Sequence, residues 1–544
     1  MNLRLATTWL IATSSTASAA GVRGKDKHQH RRVLQELQPA TYLVQEIQIQ
    51  NEVFLKRDNV ELSNNLIYKV EGFMPPWWER SGQDVFLPPA TIIDDETATI
   101  TLPYPFEGIG RLLEGEGKGD TIPKVGSTLT EDQERNLSEL RHQLAVTGRK
   151  RTVLAVKVVL SNFAYEFEDS YLECKVFGTS NGVDCDDTYH LTKAYSDCSY
   201  GKLQLGKADP RTDSAISTVS DISNGVVTVT LPNYSTSAGD GVVRNEVTTA
   251  LLDAFGTANG LADHLMYCLP PFTIGAAYAF VNHWMSVYNN RWCNYVSAQV
   301  HEIGHNLNLA HSNEGAQSYA DQSGSMGFGY TEESTPRMCF NAAKNYQLGW
   351  YNDKMKVITP GAATDSCFAG ELYGTAFYED AAAQTVGIKV NNPGSATDVY
   401  IMFNAKTGIQ SGTKEGGNTV MVVTAGAEGT DYAESTLYAK LSPSATGYSL
   451  PSFFNTVLYV DSRVDNQYAS IRIETNGQAC VEPTNAPTPP PTSSPSSSKS
   501  ISNIQYPSSS KSGKGGNTKK GGKDSKSSKA VLKKRNRKRE HKKV

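Results

Sequence analysis

The residues best placed to do chemistry fall within eleven positions: His301-Glu302-Ile303-Gly304-His305-Asn306-Leu307-Asn308-Leu309-Ala310-His311. On a helix, residues four apart differ by about 40° in azimuth. The His301 and His305 imidazoles therefore share a face and can offer two nitrogens to one metal ion. A catalytic zinc takes three protein ligands and keeps one position open. His311 can supply the third if the helix ends after His305 and the chain turns sharply. That turn should fall at Asn308, because it needs a positive φ, and Asn is among the few residues besides Gly that adopt one readily. Glu302, beside the first ligand, is the candidate general base. The metal would lower its bound water's pKa to about 7 and polarise a carbonyl for attack. Three of the ten histidines in the chain sit in this run. Glu332 or Glu333 as third ligand is the weaker alternative beside His311.

These residues need a helix to carry them. Val296, Val300, Ile303 and Leu307 make an apolar stripe that predicts a helix over 296–309. Val243, Val247, Leu251 and Ala254 predict another over 243–255, stopped by Gly256. A strand is expected at 276–281. The apolar run 152–160 is the strongest strand signal in the first third, and Arg149-Lys150-Arg151 abuts it. That triplet reads equally as a processing site or a solvated strand edge. Residues 20–148 lean towards β structure, with short runs such as Leu66-Ile67-Tyr68 between proline-rich turns and one helical piece at 131–144. From 361 to 480 short strands alternate with Gly, Asn, Ser and Thr turns and no long helix is evident, the pattern of an all-β sandwich.

The chain is 544 residues long, 39% hydrophobic and 20% charged, which excludes a wholly disordered chain and a multi-span membrane protein. Residues 499–544 carry 16 Lys and Arg against two acids, while the whole chain has 52 against 56. An acidic body of net −18 thus ends in a tail of +14. Pro, Thr and Ser dominate 483–495, and with the Ser/Gly/Lys tract after it this predicts disorder. Arg4, the apolar run 5–12 and Ala17-Ser18-Ala19 read as a secretory signal. No other stretch approaches the length of a membrane span. Eight cysteines, none before Cys174, suit an oxidising compartment. They could pair in 105 ways, and the absence of a CxxC pair argues against a zinc ribbon. Asn136 and Asn233 begin glycosylation sequons.

The run His301–His311 resembles the extended zinc motif of the metzincins, with Asn308 where Gly is usual. Ser323-Gly324-Ser325-Met326-Gly327 resembles their Met-turn, which implies that Met326 packs beneath the ligands without binding metal. The flanks resemble the gametolysin family of algal cell-wall lysins: Cys198-Ser-Tyr-Gly-Lys-Leu, Met266-Tyr-Cys-Leu-Pro-Pro, Trp292-Cys-Asn-Tyr-Val-Ser, Tyr319-Ala-Asp321-Gln-Ser and the run from Cys339 to Trp350. Several metzincins place a Tyr two residues after the Met; here Phe328 stands there and Tyr330 follows two later, so Tyr330 stays outside the catalytic set. Asp321 would hold a turn or ligate a structural ion.

The resemblance implies an α+β metzincin-like catalytic domain with a mixed sheet and an active-site helix. The expected organisation is a signal peptide at 1–19, a β-leaning prosegment-like region at 20–150 and the zinc peptidase domain at 151–360. A β-sandwich-like domain at 361–481 and a disordered linker and basic tail at 482–544 complete it. No propeptide cysteine precedes residue 150, so latency would need a carboxylate or simple occlusion. The implied activity is secreted zinc metalloendopeptidase action on extracellular-matrix or cell-wall proteins, with His301, His305 and His311 as ligands and Glu302 as base. The competing reading is a catalytically silent matrix-binding protein on the same scaffold. The tail would tether the chain to an anionic surface or remain a solvated appendage. Neither a nucleic-acid partner nor a membrane span is expected.

Overall fold

The run Val153–Val156 is buried on both faces of its strand, as a central parallel strand requires. In the computed structural model this strand is the hub of the largest sheet. The structure describes residues 31–34, 38–49, 53–71, 83–87, 91–102, 149–327, 337–362, 364–393, 395–426, 433–451, 455–478 and 480. The signal segment 1–19, the helical piece at 131–144, Asn136, Phe328, Tyr330, Glu332, Glu333 and the linker and tail at 482–544 lie outside them.

Among the described residues seven strands come first: β1 (Arg31–Val33), β2 (Gln38–Ile49), β3 (Val53–Leu62), β4 (Ile67–Glu71), β5 (Gln83–Leu87), β6 (Ile92–Asp94) and β7 (Thr99–Thr101). The next stretch holds β8 (Arg149–Leu160), α1 (Asp169–Phe177), β9 (Thr179–Ser180), β10 (Val183–Asp184), α2 (Leu191–Ser199), β11 (Leu203–Lys207) and β12 (Val226–Leu231). It continues with α3 (Asp240–Phe255), β13 (His264–Leu269), β14 (Ala277–Phe280), β15 (Met285–Asn289) and α4 (Val296–Asn306). Arg149-Lys150-Arg151 therefore lies inside β8, where it pairs in parallel with Leu203–Leu205.

One mixed sheet runs β1-β6-β7-β4-β3-β2-β14-β15-β13-β8-β11, with β12 on β8 and β5 on β2. The N-terminal strands and the β8–β15 strands thus form a single sheet, joined where β2 pairs antiparallel with β14: Ile47 faces Tyr278, Glu46 faces Ala279 and Gln45 faces Phe280. The join is cemented by buried polar groups. Asn245 on α3 accepts from Ile67 N (3.1 Å) and donates to Ile67 O (2.8 Å), and Arg244 Nη2 donates to the same carbonyl (2.7 Å). Glu61 meets His283 at 3.1 Å and accepts from the Trp284 indole at 3.3 Å. Burial alone would raise the Glu61 pKa, but His283, Asn65 and Trp284 hold it below its ordinary value. Leu43 and Ile67 share a core with Val156, Val247 and Leu265.

After α4 come β16 (Ser312–Glu314), α5 (Ala342–Leu348), β17 (Met355–Ile358), β18 (Phe368–Tyr373), β19 (Gly387–Val390) and β20 (Thr397–Phe403). The last strands are β21 (Val420–Gly426), β22 (Ser435–Leu441), β23 (Tyr448–Ser449), β24 (Thr456–Val464) and β25 (Tyr468–Thr475). They form a sheet β16-β22-β21-β20-β19-β17 and a second, β18-β25-β24-β23. Ile388, Val399 and Val422 of the first meet Leu372, Leu458 and Ile471 of the second in one core. The architecture is mixed α+β and rich in sheet.

Disulfides join Cys174–Cys185, Cys198–Cys339, Cys268–Cys293 and Cys367–Cys480. Among the described residues no helix is long and apolar enough to cross a membrane. Asn233 is exposed in the turn after β12.

Candidate metal centre

Helix α4 ends at Asn306, three residues before the expected end. The apolar pattern continues through Leu307 and Leu309, but these belong to its cap. Asn308 has φ 69°, Leu309 N bonds to Gly304 O (3.0 Å) and Asn308 N to His305 O (2.9 Å). That pair of bonds is the Schellman motif, with Asn in the left-handed position that Gly usually fills. Gln347 Nε2 holds the Asn308 carbonyl at 2.7 Å. The turn reverses the chain within two residues and brings His311 back to the helix.

His301, His305 and His311 each offer a ring nitrogen, and these nitrogens lie within 4.8 Å of one another. All three rings and Glu302 are buried. His301 Nδ1 lies 2.8 Å from Ser325 O, and His305 Nδ1 lies 2.7 Å from Leu309 O. A carbonyl can only accept, so each Nδ1 carries the proton and each Nε2 keeps its lone pair. This is the outer-shell arrangement that fixes histidine tautomers for metal binding. The Leu309 carbonyl that orients His305 belongs to the cap itself, so the turn at Asn308 both ends the helix and sets a ring.

Met326 is wholly buried beneath α4. A Cβ built on Gly304 would lie 2.6 Å from its sulfur, so the glycine in the fourth position of the histidine run admits the methionine. Ser312 N donates to Met326 O at 2.8 Å, linking this turn to the residue after His311. Asp321 accepts from Ser323 N (3.0 Å), from the Ser323 hydroxyl and from Asn341 Nδ2 (2.9 Å). It holds the turn before Met326. Burial drives its carboxyl above the usual range, against the opposing pull of those hydrogen bonds. Burial, reinforced by the charge of Glu302, likewise keeps the Tyr195 and Tyr288 phenols neutral.

Residues 158–407 match the family model of gametolysin peptidase M11. The gametolysin match agrees with the resemblance carried by the sequence and implies metallopeptidase activity. It spans β8 to β20, from the central sheet strand through the metal centre into the first β sheet of the C-terminal half. No match to this chain was found among curated proteins or among solved structures.

Tyr319, absent from the site residues expected from sequence, is also a neighbour of two of the three histidines. The Tyr319 ring lies 3.9 Å, centroid to centroid, from His311 and 5.8 Å from His301. Its φ is 64°, unusual for an aromatic residue. A lone Tyr between the third histidine and the Met-turn was the available signal; its ring lies tilted at 43° to His311 and stacked at 26° on His301.

Proposed function

We propose that the chain is a secreted zinc metalloendopeptidase that hydrolyses peptide bonds of extracellular-matrix or cell-wall proteins. The observation that carries this reading is the convergence of three buried histidines, two with Nδ1 committed to backbone carbonyls. In this reading His301, His305 and His311 hold the zinc through Nε2-type donors, and Met326 and Tyr319 buttress the rings. When bound, zinc supplies Lewis acidity and a water of lowered pKa. Glu302 would accept a proton from the attacking water at its carboxylate and return it to the leaving amine. The four disulfides support export into an oxidising compartment.

Residues 20–150 we read as an inhibitory prosegment acting by occlusion. In support, β2 takes the outer edge of β14, and Val281, just past that strand, donates to Val44 O at 3.1 Å. A peptide substrate added to the sheet at this edge would compete for the same backbone groups. Residues 151–360 would form the peptidase domain, 361–481 a β-rich domain, and the Lys-rich tail a tether to anionic surfaces.

The test pairs zinc analysis with a protein-substrate zymogram. Glu302→Ala should keep zinc and lose about 10²–10⁴-fold in cleavage rate. Undiminished cleavage by this variant would remove Glu302 from the mechanism. Zinc-free wild-type protein that cleaves equally well would remove the metal.

A further inference from the structure

The third histidine is held by a part of the chain far from it in sequence. Strand β16, which begins at the residue after His311, pairs in parallel with β22: Ser312 with Ser435, Asn313 with Thr436, Glu314 with Leu437. Ser435 N donates to the His311 carbonyl itself at 3.0 Å. At the same point Asn341 Nδ2 reaches Ser312 Oγ (3.1 Å), Asp321 Oδ2 (2.9 Å) and Ser435 Oγ (3.0 Å), its two hydrogens shared among three oxygens. Ser435 Oγ donates to Ser312 Oγ at 3.0 Å. All four side chains are buried. The node therefore ties together the segment that follows His311, the turn before Met326, the start of α5 and a strand of the C-terminal half.

We propose that Asn341, Ser312 and Ser435 are positioning residues for His311, so that strand β22 sets the affinity of the metal centre. None of them touches the metal; they fix the backbone from which the third ligand projects. A buried polar node of this kind is stiff when every member is satisfied, and removing one member leaves the others without their bonds. The inference rests on the three-histidine metal reading.

The experiment uses the full disulfide-bonded chain, zinc with a competing chromophoric chelator, and urea denaturation of the zinc-free form. Ser435→Ala removes the hydroxyl. Asn341→Asp keeps the helix cap, since Asp caps as well as Asn, but replaces the donor with an oxygen facing Asp321. Ser435→Thr keeps the hydroxyl. Val422→Ala destabilises the same C-terminal core away from the node. Ser435→Ala and Asn341→Asp should weaken zinc binding about 10–100-fold, the usual cost of losing an outer-shell partner. Ser435→Thr should restore wild-type affinity. Val422→Ala should lower the denaturation midpoint and leave zinc affinity unchanged. Unchanged zinc affinity in Ser435→Ala and Asn341→Asp overturns the inference, and so does an equal loss in Val422→Ala. Wild-type protein that binds no zinc would instead overturn the metal reading, and this inference with it.

Discussion

Gly304→Ala is a sharp test of the packing beneath the metal centre, because two known effects oppose each other there. In an ordinary helix interior the change stabilises by about 1 kcal/mol. Here the new methyl would sit 2.6 Å from Met326 Sδ, 3.4 Å from its Cε and 3.6 Å from the Phe340 ring. Overpacking of a buried site costs about 1–3 kcal/mol. The methionine side chain cannot retreat freely, since it is wholly buried in a close-packed core. Overpacking should win, with a net loss of about 1 kcal/mol by the difference of these two ranges. The displacement should also carry Ser325 O away from His301 and weaken zinc. Met326→Ala alone should cost about 2–5 kcal/mol through the cavity it leaves. In the double variant the clash is gone and the methyl on 304 partly fills that cavity, so the combined loss should fall short of the sum by about 1–3 kcal/mol, the overpacking cost itself. Urea denaturation of the zinc-free, disulfide-intact protein reads all four forms. A Gly304→Ala protein more stable than wild type, together with strict additivity in the double variant, would refute the close contact.

Asn308→Gly should leave stability and zinc binding close to wild type, whereas Asn308→Val, forced to φ 69°, should lose about 1–3 kcal/mol and bind zinc less tightly; equal behaviour of the two, by denaturation and chelator competition, would count against the cap. His264 is buried beside Arg151, and burial first, then that guanidinium, lowers its pKa to about 3. The unfolded chain takes up a proton near pH 6.5 that the folded chain refuses until about pH 3. Its contribution is thus complete above the upper value and is lost as pH falls through this window, at up to about 1.4 kcal/mol per pH unit. His264→Gln should flatten the stability–pH curve there; parallel curves for the two proteins would refute this.

The metal centre was legible because its signals are local. Four-residue spacing puts His301 and His305 on one face, and the residue types that tolerate positive φ single out Asn308. The end of α4 was misplaced for a physical reason: Leu307 and Leu309 stay buried after the helix stops, so hydrophobic periodicity runs on through the cap. Helix α3 began three residues earlier than its apolar stripe, at Asp240, an acid suited to a helix's positive end. What could not be read was long-range pairing. Ser312-Asn313-Glu314 is short and polar, and its strand character comes only from β22. The strands Ser435–Leu441 and Phe368–Tyr373 alternate too weakly to stand out in the sequence. The union of β2 with β14 has no sequence signature either, since register between distant strands is set by the assembled core.

The pairing of β16 with β22 also has a temporal consequence. Ser312 and Ser435 are 123 residues apart. At roughly 5–20 residues per second of synthesis, about 6–25 s pass between the appearance of the histidine run and that of the strand that clasps it. A nascent chain carries its ligands through that interval without the bonds that fix the third one. The third histidine is therefore fixed in place only after strand β22 has been made, late in the synthesis of the chain.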